Sequence, residues 1–281
     1  MKPSTIAARL WLFSVFCCVL SLVSLPGAAG AQTTMQKMVK DKTLKVGWIT
    51  APPTAYKDLK TGEITGIYVD ILKFILEQAN IKPEFVETSW STFAAGLQAK
   101  QFDIVAAGTF ASIPRATAVS FTQPVFYLGY AAAVRKGDTR FKTLADIDQP
   151  GVKVAVVLGS GGHEFVKRSF KNAEIMALNT SDLTADLVAV DAKRADVAIE
   201  DAWATKRYMQ EHQGLVNLFE GKPFNLQPIG WPVRQGDTDF LEFMNTALEW
   251  MRINGMVDSI TQRYPNSGRF VLEQGYRSLD R

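Results

Sequence analysis

The sequence predicts an α/β protein built as two lobes, each around its own sheet. Three observations carry that expectation. Short strands and amphipathic helices alternate over residues 44–107 in the order β-α-β-α-β, which gives a mostly parallel sheet with helices on its faces. The same alternation begins again at Lys153. Two extended segments, 129–135 and 228–233, stand where the chain would cross from the first lobe to the second and back.

Taken in order, residues 1–31 are set aside first. Lys2 and Arg9 make a short basic start, 11–25 is an apolar run broken only by serines, and Ala29, Gly30 and Ala31 are small residues of the kind a signal peptidase reads. This is the pattern of a secretory signal peptide, and the run is short for a membrane span. Both cysteines, Cys17 and Cys18, fall inside it, so the mature chain is expected to hold no disulfide and no thiolate metal site. Cleavage lowers the formal charge from +3 to +1. With no basic block, a nucleic-acid partner is not expected. The chain is 47% hydrophobic and 21% charged, which excludes a disordered or fibrous protein.

Residues 32–43 are polar and read as a loose leader. Residues 44–49 read as a strand, and 60–62 as the tip of a hairpin. Residues 71–78 read as a helix with Ile71, Leu72, Ile75 and Leu76 on one face. Strand 84–88, helix 91–99 and strand 103–107 complete the first series. In the second, 153–157 is a strand, 159–162 a glycine-rich turn and 163–169 a helix. Helix 181–189, strand 196–199 and helix 202–210 follow. The tail holds a long helix over 238–251 and a short one near 256–263. If both crossings form, the tail returns to the first lobe. The expected lobes are 32–128 with 227–281, and 129–226.

In open α/β sheets ligands bind beyond the carboxyl ends of strands. Four places there can carry chemistry. Arg115 follows a strand end, and a guanidinium can grip a carboxylate with two parallel hydrogen bonds; the alternative is a solvated surface arginine. Gly159, Ser160, Gly161 and Gly162 join a strand to a helix and can present N–H groups to an anion, or make a plain tight turn. Glu200 and Asp201 end a strand, where a carboxylate can hold an ammonium; Asp201 also suits a helix N-cap. Trp48, Trp90, Phe110 and Trp203 lie near element ends and can pack on a ligand or in the core. His163 and His212 are the only histidines, and neither has a helical partner of metal-ligand type. No metal site, cofactor or catalytic residue is expected.

The order of these pieces resembles the family 3 extracellular solute-binding proteins. The marks run from Leu44-Lys-Val-Gly47 through Thr61-Gly-Glu-Ile-Thr-Gly66 and Ile113-Pro-Arg-Ala116 to Lys193-Arg-Ala-Asp-Val-Ala-Ile-Glu-Asp201 and Gly230-Trp-Pro-Val233. The resemblance implies a two-lobed, type II periplasmic-binding-protein-like fold with a two-strand hinge. It implies capture of an amino acid or amino-acid-like ligand in the periplasm by a monomer, for delivery to an ABC transporter's membrane permease. By position, Arg115 resembles the arginine for the ligand carboxylate, Asp201 the carboxylate for its amine, and Gly159, Ser160 and Gly161 the loop that also meets the carboxylate. Trp90 falls where an aromatic stacks on the ligand, and Gly108 where a backbone group meets it.

Four positions depart from that pattern. Phe110 replaces a frequent Ser or Thr, Gly161 a frequent threonine and Tyr68 a common aspartate, and Ala51 stands near a usual aromatic lid. These changes point to a larger, less polar ligand. The same fold is also similar to periplasmic cyclohexadienyl dehydratases, which would make Glu200 or Asp201 a general acid.

Overall fold

The computed structural model describes residues 32–264. The signal-peptide reading of 1–31, with both cysteines, and the part of the first lobe beyond Tyr264 lie outside the described residues.

The leader expectation is corrected at the outset. Thr34–Asp41 is a helix, α1, with Met38 buried against the first lobe's core. Its first residue is tied down by charge: Thr34 Oγ1 donates to Asp237 at 2.7 Å and accepts from Arg234 at 2.8 Å. A single apolar stripe in a polar segment was too narrow a signal to read as a packed helix.

Strand β1 (Thr43–Trp48) follows, then the hairpin of β2 (Tyr56–Lys57) and β3 (Ile64–Thr65), then helix α2 (Ile67–Gln78). The helix buries Ile71, Leu72, Ile75 and Leu76, the face that the periodicity predicted, and starts earlier, burying Ile67 as well. Each such side chain contributes roughly 1.5–3 kcal/mol. After it come β4 (Lys82–Glu87), α3 (Phe93–Gln98), β5 (Ile104–Val105), α4 (Ile113–Ala116) and β6 (Ser120–Phe121). β1 pairs in parallel with both β4 and β5. β1, the hairpin, α2, β4, α3 and β5 agree in kind with the sequence reading and differ by a few residues at their ends, while α4 and β6 were not foreseen.

Strand β7 (Phe126–Arg135) opens the second sheet. There follow α5 (Leu144–Ile147), β8 (Lys153–Val157), α6 (Gly161–Ser169), β9 (Glu174–Leu178), α7 (Ala185–Asp191), β10 (Val197–Asp201), α8 (Ala202–Glu211), β11 (Leu215–Asn217) and β12 (Phe224–Ile229). The sheet runs β11-β7-β10-β8-β9, with β12 also on β7. Strands β9 and β11 were not foreseen. β9 is a partly exposed edge strand with no clean alternation, and β11 is three residues long.

The return strand β13 (Pro232–Val233) joins the first sheet, whose order is β4-β1-β5-β13-β6. Helices α9 (Thr238–Ile253) and α10 (Met256–Thr261) then pack on the first lobe. Tyr264 closes this end, its hydroxyl donating to Asp70 and accepting from Gly66 N. The passages between sheets run side by side. Phe126, Tyr127 and Leu128 of β7 lie opposite Ile229, Pro228 and Gln227 of β12. Two adjacent extended strands are the only covalent links between the sheets among the described residues, which leaves a cleft bounded by the strand ends of both.

Candidate functional site

Two cavities open where the lobes meet, and Trp90 lines both. The inner one is small, about 30 Å³, space for no more than a few water molecules. Its walls include Tyr68 from the first turn of α2, Gly108 from the loop after β5, and Asp201, Trp203 and Arg207 from the start of α8. Asp182 also reaches it from the loop before α7. The ring of Tyr68 lies against Gly108, where a Cβ would come within 3.0 Å of it. At this size the cavity admits no large ligand without further separation of the lobes.

Asp201 ends β10 and caps α8, its Oδ1 accepting from Ala204 N at 2.6 Å. It thus fills both roles open in the sequence, cap and cavity carboxylate. Burial raises its pKa to about 6, partly offset by the α8 N–H groups and by Arg207. The neighbouring Tyr68 hydroxyl is also raised by burial and by Asp201, so it is a neutral phenol.

Glu200 alternates to the other face of β10, away from the cavity. It is 2% exposed and accepts from Asp201 N at 2.7 Å. Burial and the nearby charges of Asp186 and Asp201 push it well above the carboxylate range. Burial does the same to Asp186. Glu200 Oε2 and Asp186 Oδ2 both lack a partner that is a fixed donor.

Arg115 lines the outer cavity, about 740 Å³ and open to solvent, and not the inner one. Each of its three guanidinium nitrogens has a partner, two of them across the interface. Nε meets Glu164 Oε1 at 2.6 Å, one terminal nitrogen donates to Gly159 O at 2.6 Å, and the other to Phe110 O at 3.1 Å. Ser112 Oγ donates to the second oxygen of Glu164 at 2.8 Å. Glu164, from the first turn of α6, therefore presents a carboxylate to the arginine where the resemblance implied that of a ligand.

The glycine loop serves the same contact. Gly159 has φ +78°, and a Cβ there would lie 2.7 Å from the Trp90–Ser91 peptide, so glycine is required by both turn and approach. Ser160 caps α6 by accepting from His163 N at 3.2 Å. The helix consequently begins at Gly161, earlier than predicted. His163 is not a free surface residue, since its Nδ1 accepts from Gly159 N at 3.1 Å. Accepting there needs the neutral ring, consistent with a pKa lowered by burial and Lys167.

Phe110 and Gly161 form one complementary pair. The Phe110 ring packs on Tyr130 at 4.8 Å between centroids, and a Cβ on Gly161 would lie 2.6 Å from that ring and 2.5 Å from the Tyr130 hydroxyl. The two departures in sequence are thus one exchange of volume. Gly161→Ala is expected to destabilise the protein by about 1–3 kcal/mol through overpacking. In a Phe110→Ala background the part of that cost due to the ring should vanish while the part due to the Tyr130 hydroxyl remains, which chemical denaturation of the four proteins of the cycle measures.

The predicted residues therefore separate. Trp90, Gly108 and Asp201 share the inner cavity, while Arg115 and Gly159 lie with Trp90 on the outer one. Phe110 and Gly161 pack between the lobes, and Ser160 caps a helix. Sequence reasoning missed Glu164, Asp182 and Arg207. Glu164 reads as an ordinary acid in a helix first turn, and Arg207 as an ordinary charge on a helix surface. Among the described residues no cluster of three metal-ligating side chains occurs, and no helix is long and apolar enough to cross a membrane.

Comparison with known proteins adds four findings. The profile of the bacterial extracellular solute-binding proteins, family 3, matches residues 44–267. A probable amino-acid ABC transporter-binding protein of Haemophilus influenzae is 30% identical over 228 residues, 80% of this chain and 85% of that one. The cyclohexadienyl dehydratase of Pseudomonas aeruginosa is 26% identical over 251 residues, 87% and 91% of the two chains. In structure, the chain is similar to an ancestral amino acid-binding protein described as a precursor of cyclohexadienyl dehydratase. That match has a TM-score of 0.74 and 28% identity, and covers 83% of this chain and 99% of the other.

Proposed function

This chain belongs to the bacterial extracellular solute-binding proteins, family 3, and from that premise we propose that it captures an amino acid or amino-acid-like solute between its lobes in the periplasm and passes it to the membrane permease of an ABC importer. The lobes are 32–128 with 227–281, and 129–226. The protein acts as a monomer, without cofactor and without chemistry on the solute.

The observation that carries this reading is Asp201. It is a carboxylate only 7% exposed, aimed into the inner cavity beside Trp90 and Trp203, and without a salt-bridge partner of its own among the described residues. A ligand ammonium supplies that partner. Trp90 Nε1 is a further buried donor with no partner among the described residues. Closure over the ligand then follows from contacts that exist only when both lobes meet it.

A second reading, a cyclohexadienyl dehydratase-like enzyme, is favoured by one observation: an acid raised to about 6 is a fit general acid in mildly acidic solution. Glu200 faces away from the cavity, which leaves Asp201 alone for that part.

The test is the melting temperature of the refolded mature chain against amino acids, opines, polyamines and prephenate. A ligand at a hundredfold over its Kd adds roughly 2.7 kcal/mol. A rise with amino acids is the expected result. A rise with prephenate alone, together with its turnover, would replace the binding reading with the enzymatic one.

A further inference from the structure

Helices α2 and α9 leave an apolar groove between them on the first lobe, and none of its residues lines either cleft cavity. It measures about 350 Å³ and is walled by Phe74, Ile75 and Ala79 on one side and by Phe243, Trp250 and Met251 on the other. Helix α9 turns Phe240, Met244 and Leu248 into the core, so the stripe through Phe243 and Trp250 is a second apolar face on the same helix. Trp250 is 51% exposed, and Ile253 beside it is 76% exposed. A contiguous apolar groove of this kind marks a surface that something covers.

The chain itself supplies an occupant. Tyr264, the last described residue, is fixed at the N-terminal end of α2, where its hydroxyl donates to Asp70 and accepts from Gly66 N at 3.1 Å. Along α2 the groove lies between Phe74 and Ala79, roughly 12–20 Å from Gly66 at 1.5 Å per residue. Residues 265–281 follow Tyr264 and include the apolar triplet Phe270-Val271-Leu272. The steps from Tyr264 to Phe270 give a reach of up to about 20 Å in extended chain. The triplet can therefore arrive at the groove with every described element in place. In extended backbone Phe270 and Leu272 share one side, which offers two large side chains to a groove between two helices.

Charge agrees with this placement. Exposed Glu77 and Glu242 adjoin the lining residues Gln78 and Phe243, and Arg269 adjoins Phe270. The match to the family profile ends at residue 267, so the triplet lies beyond what that profile describes.

We propose that residues 269–273 of this chain's own tail dock along the groove between α2 and α9, with Phe270 and Leu272 seated against Phe243 and Trp250. The tail then straps the two helices together and covers apolar surface that an exported protein otherwise offers to unrelated chains.

The chain from residue 32 onward has no cysteine, so a single disulfide can report the contact. Such a bond closes only when the two Cβ atoms come within about 4.5 Å. The test pairs Glu273→Cys, in the full mature chain, with either of two exposed targets. Thr246→Cys lies on the groove, and Lys60→Cys lies on the hairpin that Tyr264 touches through Thr65. Both targets are within the tail's reach, and only the first is on the proposed path. Under mild oxidation at low protein concentration, the Thr246 pair is expected to close within one chain about tenfold faster than the Lys60 pair. Adding Phe270→Asp with Leu272→Asp should bring the first rate down to the second. Circular dichroism and the unliganded melting temperature of each variant serve as the folding control. Equal rates for the two pairs, or a Thr246 rate untouched by the aspartates, would overturn the proposal. A cross-link that joins two chains in place of one would overturn it as well, and would give the groove to a second copy of this protein.

Discussion

Asp201→Asn is expected to weaken binding of an ammonium-bearing ligand by about a hundred- to a thousandfold and to remove most of its pH dependence. Losing one partner of a desolvated, hydrogen-bonded charge pair costs about 2–5 kcal/mol. Asparagine keeps the shape and can still accept from Ala204 N, so the helix cap and the fold should survive. What is lost is the charge opposite the ligand. Burial has raised Asp201 to about 6, so below that pH the free protein holds it protonated. Binding of a cation requires the carboxylate, and a proton must leave. Affinity should therefore fall about tenfold per pH unit below 6 in wild type and stay flat in the variant. Calorimetry in two buffers of different ionisation heat reads the released proton directly. Stability without ligand has the opposite slope. A carboxyl raised in the folded state binds more protons there than in the unfolded chain between about pH 4 and pH 6. Its contribution is fully present below that window and is lost as pH rises through it. Glu200 and Asp186, also raised by burial, act with the same sign. A wild-type affinity independent of pH from 5 to 7 would show that Asp201 does not meet the ligand's charge.

Local signals made part of this site legible. Asp201 ends a strand and starts a helix, and both facts are written in adjacent residues. The apolar face of α2 is local in the same sense. Partnership across the cleft is not local. Arg115 could be picked out as an arginine beyond a strand end, but nothing near it in sequence says that Glu164, on a helix of the other lobe, would face it. Phe110 and Gly161 looked like two separate losses of polar contact, and their coordinates make them one packing unit. Arg207 is one of several charges on α8. Only the position of Asp201 at the cap and the inner cavity beside it separate Arg207 from Lys206, which is exposed. The carboxyl of Glu200 was offered beside Asp201 as a cavity group. The alternation of a strand sends neighbouring side chains to opposite faces, so only one of the two can reach the cleft.

Removing Glu164 is expected to open the cleft. In the present arrangement Arg115 is 7% exposed, and Glu164 is the only carboxylate on it among the described residues. Truncating one partner of a buried ion pair costs about 3–5 kcal/mol. The Glu164 side chain is 28% exposed, so screening by water brings the expected figure nearer 2–3 kcal/mol. Very little of that cost need appear as global unfolding. Arg115 and Ser112 belong to the first lobe and Glu164 and Gly159 to the second, and separation of the lobes returns the guanidinium to water. The cost therefore falls on the closed form and shifts the balance towards the open one by roughly 30- to 150-fold. Glu164→Ala and Arg115→Ala should both raise the radius of gyration of the unliganded protein in small-angle scattering, and both should speed ligand release. Glu164→Gln keeps an acceptor for Arg115, while its amide nitrogen can donate to Ser112 Oγ, and should lie between them and wild type. Thermal unfolding should move less than the scattering does, because each lobe keeps its own core. An arginine whose role is to grip ligand gives another pattern. Arg115→Ala would then destroy binding, and Glu164→Ala, by freeing the arginine, would strengthen it. The sign of the Glu164→Ala effect on affinity thus decides whether this carboxylate holds the lobes together or stands in the ligand's place.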